Sequence, residues 1–132
     1  NKMSKKGFSL AEILIVVVVA SVLVAISVPN FLKTIEKENA RQAMTYLRLI
    51  RSAQKVYHSN HGTYVNCADV AAIRTNLGIE INNGDYSFTV TGADGTTFTA
   101  NATKGASSIT LTADCVWAKT DDLTYVTLPT SC

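Results

Sequence analysis

The sequence predicts an α+β protein in which one long N-terminal helix packs against an antiparallel sheet of about four strands. Three patterns support this prediction: an apolar run near the N-terminus, a helical periodicity after it, and alternating apolar and polar residues in the last third of the chain. A chain of 132 residues has room for one domain of ordinary size. Its apolar fraction of 47% is unevenly distributed, because residues 13–28 hold no charge.

The apolar run predicts a membrane span. The residues between Glu12 and Lys33 are all uncharged, and their number matches the roughly 20 residues, or ~30 Å of helix, that a span needs. A buried core helix and a removable signal peptide are the alternatives. Glu12 at the start of the run and Pro29 just beyond the candidate cleavage site argue against the signal peptide. Lys5 and Lys6 ahead of the run predict a cytoplasmic N-terminus.

Beyond the span, an amphipathic helix is predicted to continue to His58. At about 100° per residue, an apolar and a basic stripe fall on nearly opposite sides. The apolar stripe consists of Ala43, Tyr46, Leu47, Ile50, Ala53 and Tyr57, and the basic stripe of Lys37, Arg41, Arg48, Arg51 and Lys55. Pro29 lacks an N–H and predicts a bend or local break near residues 25–29. Leu49 and Val56 lie on neither stripe, so either the connecting loop covers them or they contact another subunit.

After the helix, the sequence contains first turn-forming residues and then segments in which apolar and polar residues alternate. Residues 59–85 are predicted to form a connecting loop with one possible short helix at 67–78. Four strands are then predicted, at 86–92, 96–104, 108–117 and 123–128. The third is expected to direct Ile109, Leu111, Ala113, Cys115 and Trp117 to one side.

Glu12 stands at the mouth of the apolar run, where a charge is unfavourable. An ionised carboxylate inside a span costs a few kcal/mol. Phe8 precedes it by about one helical turn, so cleavage after Gly7 would create a cationic amino group close to this carboxylate. The spacing alone does not decide whether the amine of the same chain or of a neighbour would neutralise it. A carboxylate that reaches the membrane interface unaided is the simpler alternative.

These residues resemble the N-terminal motif of the type IV prepilins and of the pseudopilins of type II secretion and DNA-uptake machines. The resemblance rests on Lys5-Lys6-Gly7, on Phe8-Ser9-Leu10-Ala11-Glu12 and on the uncharged run that reaches Pro29. It implies a pilin-like fold with a leader at 1–7, a long helix at 8–58, a connecting loop at 59–85 and a sheet with a Cys-bearing C-terminal loop at 86–132. Within the helix, residues 8–32 would form the membrane span and later the filament core.

The resemblance also implies processing and partners. A prepilin peptidase of the inner membrane would cut between Gly7 and Phe8 and methylate the new amino group of Phe8. An inner-membrane assembly platform would then build a filament in which Glu12 meets the Phe8 amine of a neighbouring subunit and the helix near Pro29 melts. A type IV pilus would lie outside the cell, whereas a pseudopilus would stay in the periplasm.

The cysteines are expected to form one disulfide, because the sheet should lie outside the inner membrane. Cys115–Cys132 is the favoured pair, Cys67–Cys132 is the second choice, and reduced buried thiols are the alternative. The sequence has no Cys-x-x-Cys pair and no histidine at metal-ligand spacing, so it predicts neither a metal site nor a cofactor.

The sequence predicts a structural subunit and not an enzyme. His58 and His61 have no serine, cysteine or carboxylate in a triad motif. Nucleic-acid binding is possible but unsupported, because no aromatic residue lies between the members of the basic stripe. The favoured function is a type IV pilus subunit that supports adhesion, motility or DNA uptake. A pseudopilin and a membrane-anchored or secreted binding module are the alternatives.

Overall fold

A computed structural model describes residues 9–132, apart from the side chains of residues 29 and 30. The described chain contains two helices and one sheet of four strands. They are α1 (Leu10–His61), α2 (Val70–Leu77), β1 (Ser87–Thr91), β2 (Thr99–Lys104), β3 (Ser107–Thr112) and β4 (Trp117–Lys119). The chain divides into two compact units, one ending at Glu36 and the other spanning Lys37–Cys132. The predicted α+β fold class, with a long helix and a four-stranded antiparallel sheet, is confirmed.

Helix α1 runs three residues beyond the predicted end at His58. The Ser59 hydroxyl donates to the Lys55 carbonyl, and the His61 ring nitrogen Nδ1 lies 3.1 Å from the Tyr57 carbonyl, so both side chains meet carbonyls one turn back. Gly62 then ends the helix in the left-handed conformation at φ 75°, with its N–H 2.7 Å from the His58 carbonyl. A glycine here avoids the strain that a Cβ would meet at positive φ.

The predicted short helix is confirmed as α2. Asp69 caps its N-terminus by accepting a hydrogen bond from the Ala72 N–H at 2.8 Å, and Gly78 ends it at φ 72°. Ile73 is the fully buried residue of this helix. The connecting segment is therefore partly ordered by its own caps rather than being a simple loop.

The sheet is an antiparallel meander in the order β1-β2-β3-β4. Its buried face is built from rows that place a small residue between two large ones. The rows are Phe88–Ala102–Ile109 and Val90–Ala100–Leu111. These residues share one core with the predicted apolar stripe of α1, of which Ala43, Leu47 and Ile50 are completely buried. The alternation in the sequence therefore identified the face of the sheet correctly.

One predicted strand was wrong in its bounds, and another does not form among residues 9–132. The predicted third strand is divided by a turn after Thr112, where Cys115 adopts φ 66° and its N–H donates to the Thr112 carbonyl. Trp117 consequently lies on β4 and not on the same strand as Ile109. The predicted strand at 123–128 is absent from the described residues, because Leu123 and Val126 bond to carbonyls three residues earlier and form successive turns.

Candidate assembly site

The N-terminus of α1 is a hydrogen-bonded cap formed by Ser9. The Ser9 hydroxyl accepts from the Glu12 N–H at 3.2 Å, and the Ser9 carbonyl accepts from the Ile13 N–H at 3.1 Å. A serine at the cap followed three residues later by glutamate is the capping-box pattern, which satisfies N–H groups that a helix start leaves unpaired. Ser9 thus caps the helix start, a role that the sequence reasoning missed although the Ser-x-x-Glu spacing signals it.

The Glu12 carboxylate itself is exposed. Within residues 9–132 it forms no hydrogen bond or ion pair. The predicted partner, the amino group of Phe8, and the predicted cleavage site at Gly7 lie outside the described residues. The pairing of Glu12 with an amine therefore stays a prediction.

The apolar part of α1 has no cover within its own unit. Every side chain from Ser9 to Val28 is exposed, and the most apolar stretch of the helix reaches a mean hydropathy of 2.8 over 18 residues. Two serines in this stretch are satisfied locally, because Ser21 donates to the Val17 carbonyl at 2.8 Å and Ser27 to the Leu23 carbonyl at 2.9 Å. By length and composition this helix can cross a membrane. An exposed apolar surface of this extent marks a site of contact with lipid or with other chains.

The described backbone is helical through Pro29. The predicted bend or local break near residues 25–29, and the melting that the resemblance implies for the filament, stay predictions.

The basic stripe is not simply a solvated face. Arg41 pairs with Glu38 at 3.7 Å, as expected for an exposed helix pair. Arg51, however, donates from Nε to the Ala113 carbonyl at 3.2 Å, and Arg48 lies 5.7 Å above the ring of Trp117. These two arginines therefore fix α1 against the turn between β3 and β4.

Lys55 is also occupied within the folded unit. Its ammonium donates to the Tyr64 hydroxyl at 3.0 Å and lies 5.4 Å from the centre of that ring. Of the five basic residues, Lys37, Arg41 and Arg48 are exposed. The stripe consequently offers fewer free cations than the sequence suggested.

Gln54 holds the connecting segment to the helix, and the sequence reasoning missed it. It is the fully buried polar residue of the described chain, at 0% exposure. Its Nε2 donates to the Val65 carbonyl at 2.6 Å and its Oε1 accepts from the Val65 N–H at 3.0 Å. The side chain thus pairs with one residue as a neighbouring strand would. Gln54 follows Ile50 by one helical turn and so lies on the apolar stripe. This position was the sequence signal that its side chain would be buried.

The predicted disulfide between Cys115 and Cys132 is confirmed, with its Cα atoms 5.9 Å apart. Cys67 is the remaining thiol and is completely buried, and this burial raises its pKa. The alternative pair Cys67–Cys132 is therefore wrong.

Polar contacts fix the C-terminal segment against the sheet. The Trp117 indole N–H donates to the Ser131 carbonyl at 3.3 Å. The Lys119 ammonium donates to the Leu123 carbonyl at 2.8 Å and also to the Val126 carbonyl. The carboxylate of Asp122 accepts from the Ser107 hydroxyl, which lowers its pKa. Within residues 9–132 no group of three or more His, Cys, Asp or Glu side chains could hold a metal ion.

Comparison with known protein families decides what this architecture is. A family model described as the prokaryotic N-terminal methylation motif matches residues 2–28. A second, described as the type IV minor pilin ComP, DNA uptake sequence receptor, matches residues 29–117. The chain belongs to the type IV pilin family. The resemblance found at the N-terminal motif therefore extends through the helix and most of the sheet.

Two curated pilins are similar to this chain. The type IV major pilin protein PilA of Myxococcus xanthus is 32% identical over 98 residues, which cover 74% of this chain and 42% of that pilin. The type IV wide pilus major component PilA4 of Thermus thermophilus is 27% identical over 93 residues, which cover 70% of this chain and 69% of that pilin. The chain thus spans less than half the length of the Myxococcus relative.

Proposed function

We propose that this pilin is a structural subunit of a type IV pilus. The observation that supports this most strongly is the succession of the two family matches, the N-terminal methylation motif followed by the pilin model. The exposed apolar helix gives the proposal a physical basis, since it needs lipid before assembly and other helices afterwards. The subunit acts by packing and has no catalytic role.

The proposed maturation begins in the inner membrane. A prepilin peptidase cuts between Gly7 and Phe8 and methylates the Phe8 amine, and an assembly platform then moves the helix from lipid into the filament outside the cell. In the filament, the Glu12 carboxylate pairs with the Phe8 amine of a neighbour, which offsets the cost of burying both charges. Electron microscopy of sheared surface filaments tests this proposal, with the subunit and its methylated N-terminus identified by mass spectrometry. Filaments without this chain would contradict it.

Two substitutions at Glu12 separate the charge of its side chain from its size and polarity. Glu12→Gln keeps the size and polarity but has no charge, and Glu12→Val removes both charge and polarity. If the charge serves assembly, both variants insert into the membrane normally and lose filaments to a similar degree. If only the polarity of the side chain matters, Glu12→Gln keeps wild-type filament numbers. Membrane levels of the precursor, measured by immunoblotting, provide the control for insertion.

DNA binding is a second candidate function, favoured by the match to a model described as a DNA uptake sequence receptor. Phosphate contacts would make affinity fall steeply between 50 and 200 mM salt. The exposed cations Lys37 and Arg41 are the first to test, since Arg48 and Arg51 are engaged with the sheet. Binding of labelled duplex DNA that is absent, or unchanged in a Lys37→Gln/Arg41→Gln variant, would argue against a role for these residues.

A further inference from the structure

The C-terminal turns of α1 and α2 border a groove on the unit that spans Lys37–Cys132. Its volume is about 560 Å³, within the range of roughly 300–1,000 Å³ that is usual for small-molecule sites. His61 and Leu77, the last residues of the two helices, both line it. Val56 also lines it and is 62% exposed, and Leu49 is 47% exposed. The connecting loop therefore does not cover these two residues, so the first of the two interpretations offered by the sequence is wrong.

Polar groups without a partner in the described part of the chain line this groove. The Tyr57 hydroxyl and the Asn60 amide form no hydrogen bond there. The His61 ring donates from Nδ1 to the Tyr57 carbonyl, which leaves Nε2 of the neutral ring as a free acceptor. Thr75 donates its hydroxyl proton to the Ala71 carbonyl at 2.9 Å, and its oxygen can still accept. The groove thus offers both donors and acceptors to a ligand.

A flat aromatic surface belongs to the same groove. The rings of Tyr57 and His61 are stacked, with 4.0 Å between their centres and 13° between their planes. Because stacking fixes both rings, little conformational entropy is lost when a ligand packs against them. The face of an aromatic ring is weakly negative and attracts C–H groups. Val56 and Leu77 add apolar surface. This combination suits a ligand with one face of C–H groups and a polar rim.

The electrostatics of the groove disfavour an anion. Among the described residues, no Asp, Glu, Lys or Arg side chain lines it, so a phosphate or carboxylate finds no cation to pair with. Both helices also end at the groove, and helix C-termini carry partial negative charge. A nucleic acid, which binds largely through its phosphates, is therefore a poor ligand. An organic cation finds no carboxylate, so the ligand that fits is uncharged.

We propose that this groove binds a neutral sugar unit of a glycan. A pyranose ring has a face of C–H groups, which packs on the rings of Tyr57 and His61, and a rim of hydroxyls that both donate and accept. The amides of Asn60 and Asn76 can each bind two neighbouring hydroxyls, since Asn76 contacts only the Cys67 sulfur, at 4.0 Å. This binding goes beyond the proposed pilus function and does not depend on it, because all these residues belong to one folded unit.

Ligand-observed NMR tests the proposal on the full chain, in micelles of a detergent that has no sugar headgroup. The probes are the methyl glycosides of glucose, galactose and N-acetylglucosamine, and the charged comparators are glucuronic acid, thymidine 5′-phosphate and choline. We expect saturation transfer from the protein to the C–H protons of at least one glycoside, and binding of the charged compounds that is weaker by about tenfold or more. Saturation transfer absent from all three glycosides, or a charged compound that binds as tightly, would overturn the proposal. Neither result bears on the pilus function.

Matched substitutions locate the binding. Tyr57→Leu keeps an apolar side chain but loses the aromatic face, and Asn60→Ala loses the amide, so each should weaken glycoside affinity by about fivefold or more. Asn82→Ala, at an exposed position outside the groove, is the control and should bind as the wild type does. Circular dichroism verifies that the variants are folded. In the wild type, the imidazole NMR signals of His61 should move as glycoside is added. Wild-type affinity in both groove variants, or His61 signals that do not move, would refute the inference.

Discussion

Replacing Gln54 by leucine should destabilise the folded unit far more than its small change in volume suggests. The amide forms both a donor and an acceptor bond with Val65, at 2.6 and 3.0 Å, and it is completely buried. Each bond contributes about 1 kcal/mol net, and each Val65 group left unpaired costs about 1–3 kcal/mol. The leucine side chain buries more apolar surface than glutamine, which offsets part of this cost. We therefore expect the free energy of unfolding to fall by roughly 2–4 kcal/mol.

The loss can be measured through the single tryptophan, Trp117, which lies on β4 and therefore reports on the sheet. For a unit of about 100 residues, the expected destabilisation lowers the melting temperature by roughly 10–25 °C. Unfolding of the full chain in detergent micelles, followed by Trp117 fluorescence, gives the value. Gln42→Leu at an exposed position of the same helix is the control. A Gln54→Leu variant within about 0.5 kcal/mol of that control would refute the reasoning.

Three further predictions concern the C-terminal half. Cys132→Ser opens the loop closed with Cys115, and the unfolding free energy should fall by about 3 kcal/mol, measured by urea denaturation. Lys119→Met leaves the Leu123 and Val126 carbonyls without their ammonium donor, so hydrogen exchange should increase in residues 120–128. Hydrogen bonds from Thr96 and Thr97 lower the pKa of Asp94, so its stabilisation is present above the unfolded-state pKa and is lost as the pH falls below about 4. Asp94→Asn should weaken the dependence of unfolding free energy on pH between about 5 and 2.

The sequence predicted the features that rest on a single local period. The apolar stripe of α1 and the inward residues of β1 and β2 follow 3.6-residue and two-residue repeats, and the structure confirms them. The bounds of the third strand failed because the alternation from Ile109 to Trp117 continues across a turn. That turn requires Cys115 to adopt φ 66°. Residues other than glycine rarely adopt a positive φ, so a cysteine at this position does not predict a turn.

The sequence predicted those features of the candidate site for which the residue type alone determines the bond, as for the two cysteines of the disulfide. The disulfide followed from the expected export of the sheet, whereas the pairing of Gln54 with Val65 depends on how the connecting segment returns to the helix. The basic stripe shows the same limit, because its helical spacing was read correctly but the contact of Arg51 with Ala113 joins residues far apart in sequence. Non-local partners of polar side chains are not encoded in any short motif.

The exposed helix also limits what can drive assembly. Lipid tails are as apolar as the leucine and valine side chains of residues 13–28, so moving these side chains from a bilayer into a filament core gains little hydrophobic free energy. In the proposed filament, close packing, the proposed pairing of Glu12 with an amine, and contacts between folded units would then supply both the free energy and the register of assembly. An apolar run of this kind tolerates many conservative substitutions, whereas removing the charge of Glu12 acts on a contribution that does not cancel. Assembly defects should therefore be concentrated at Glu12 and at surface positions where the folded units meet, and be rare along the apolar run.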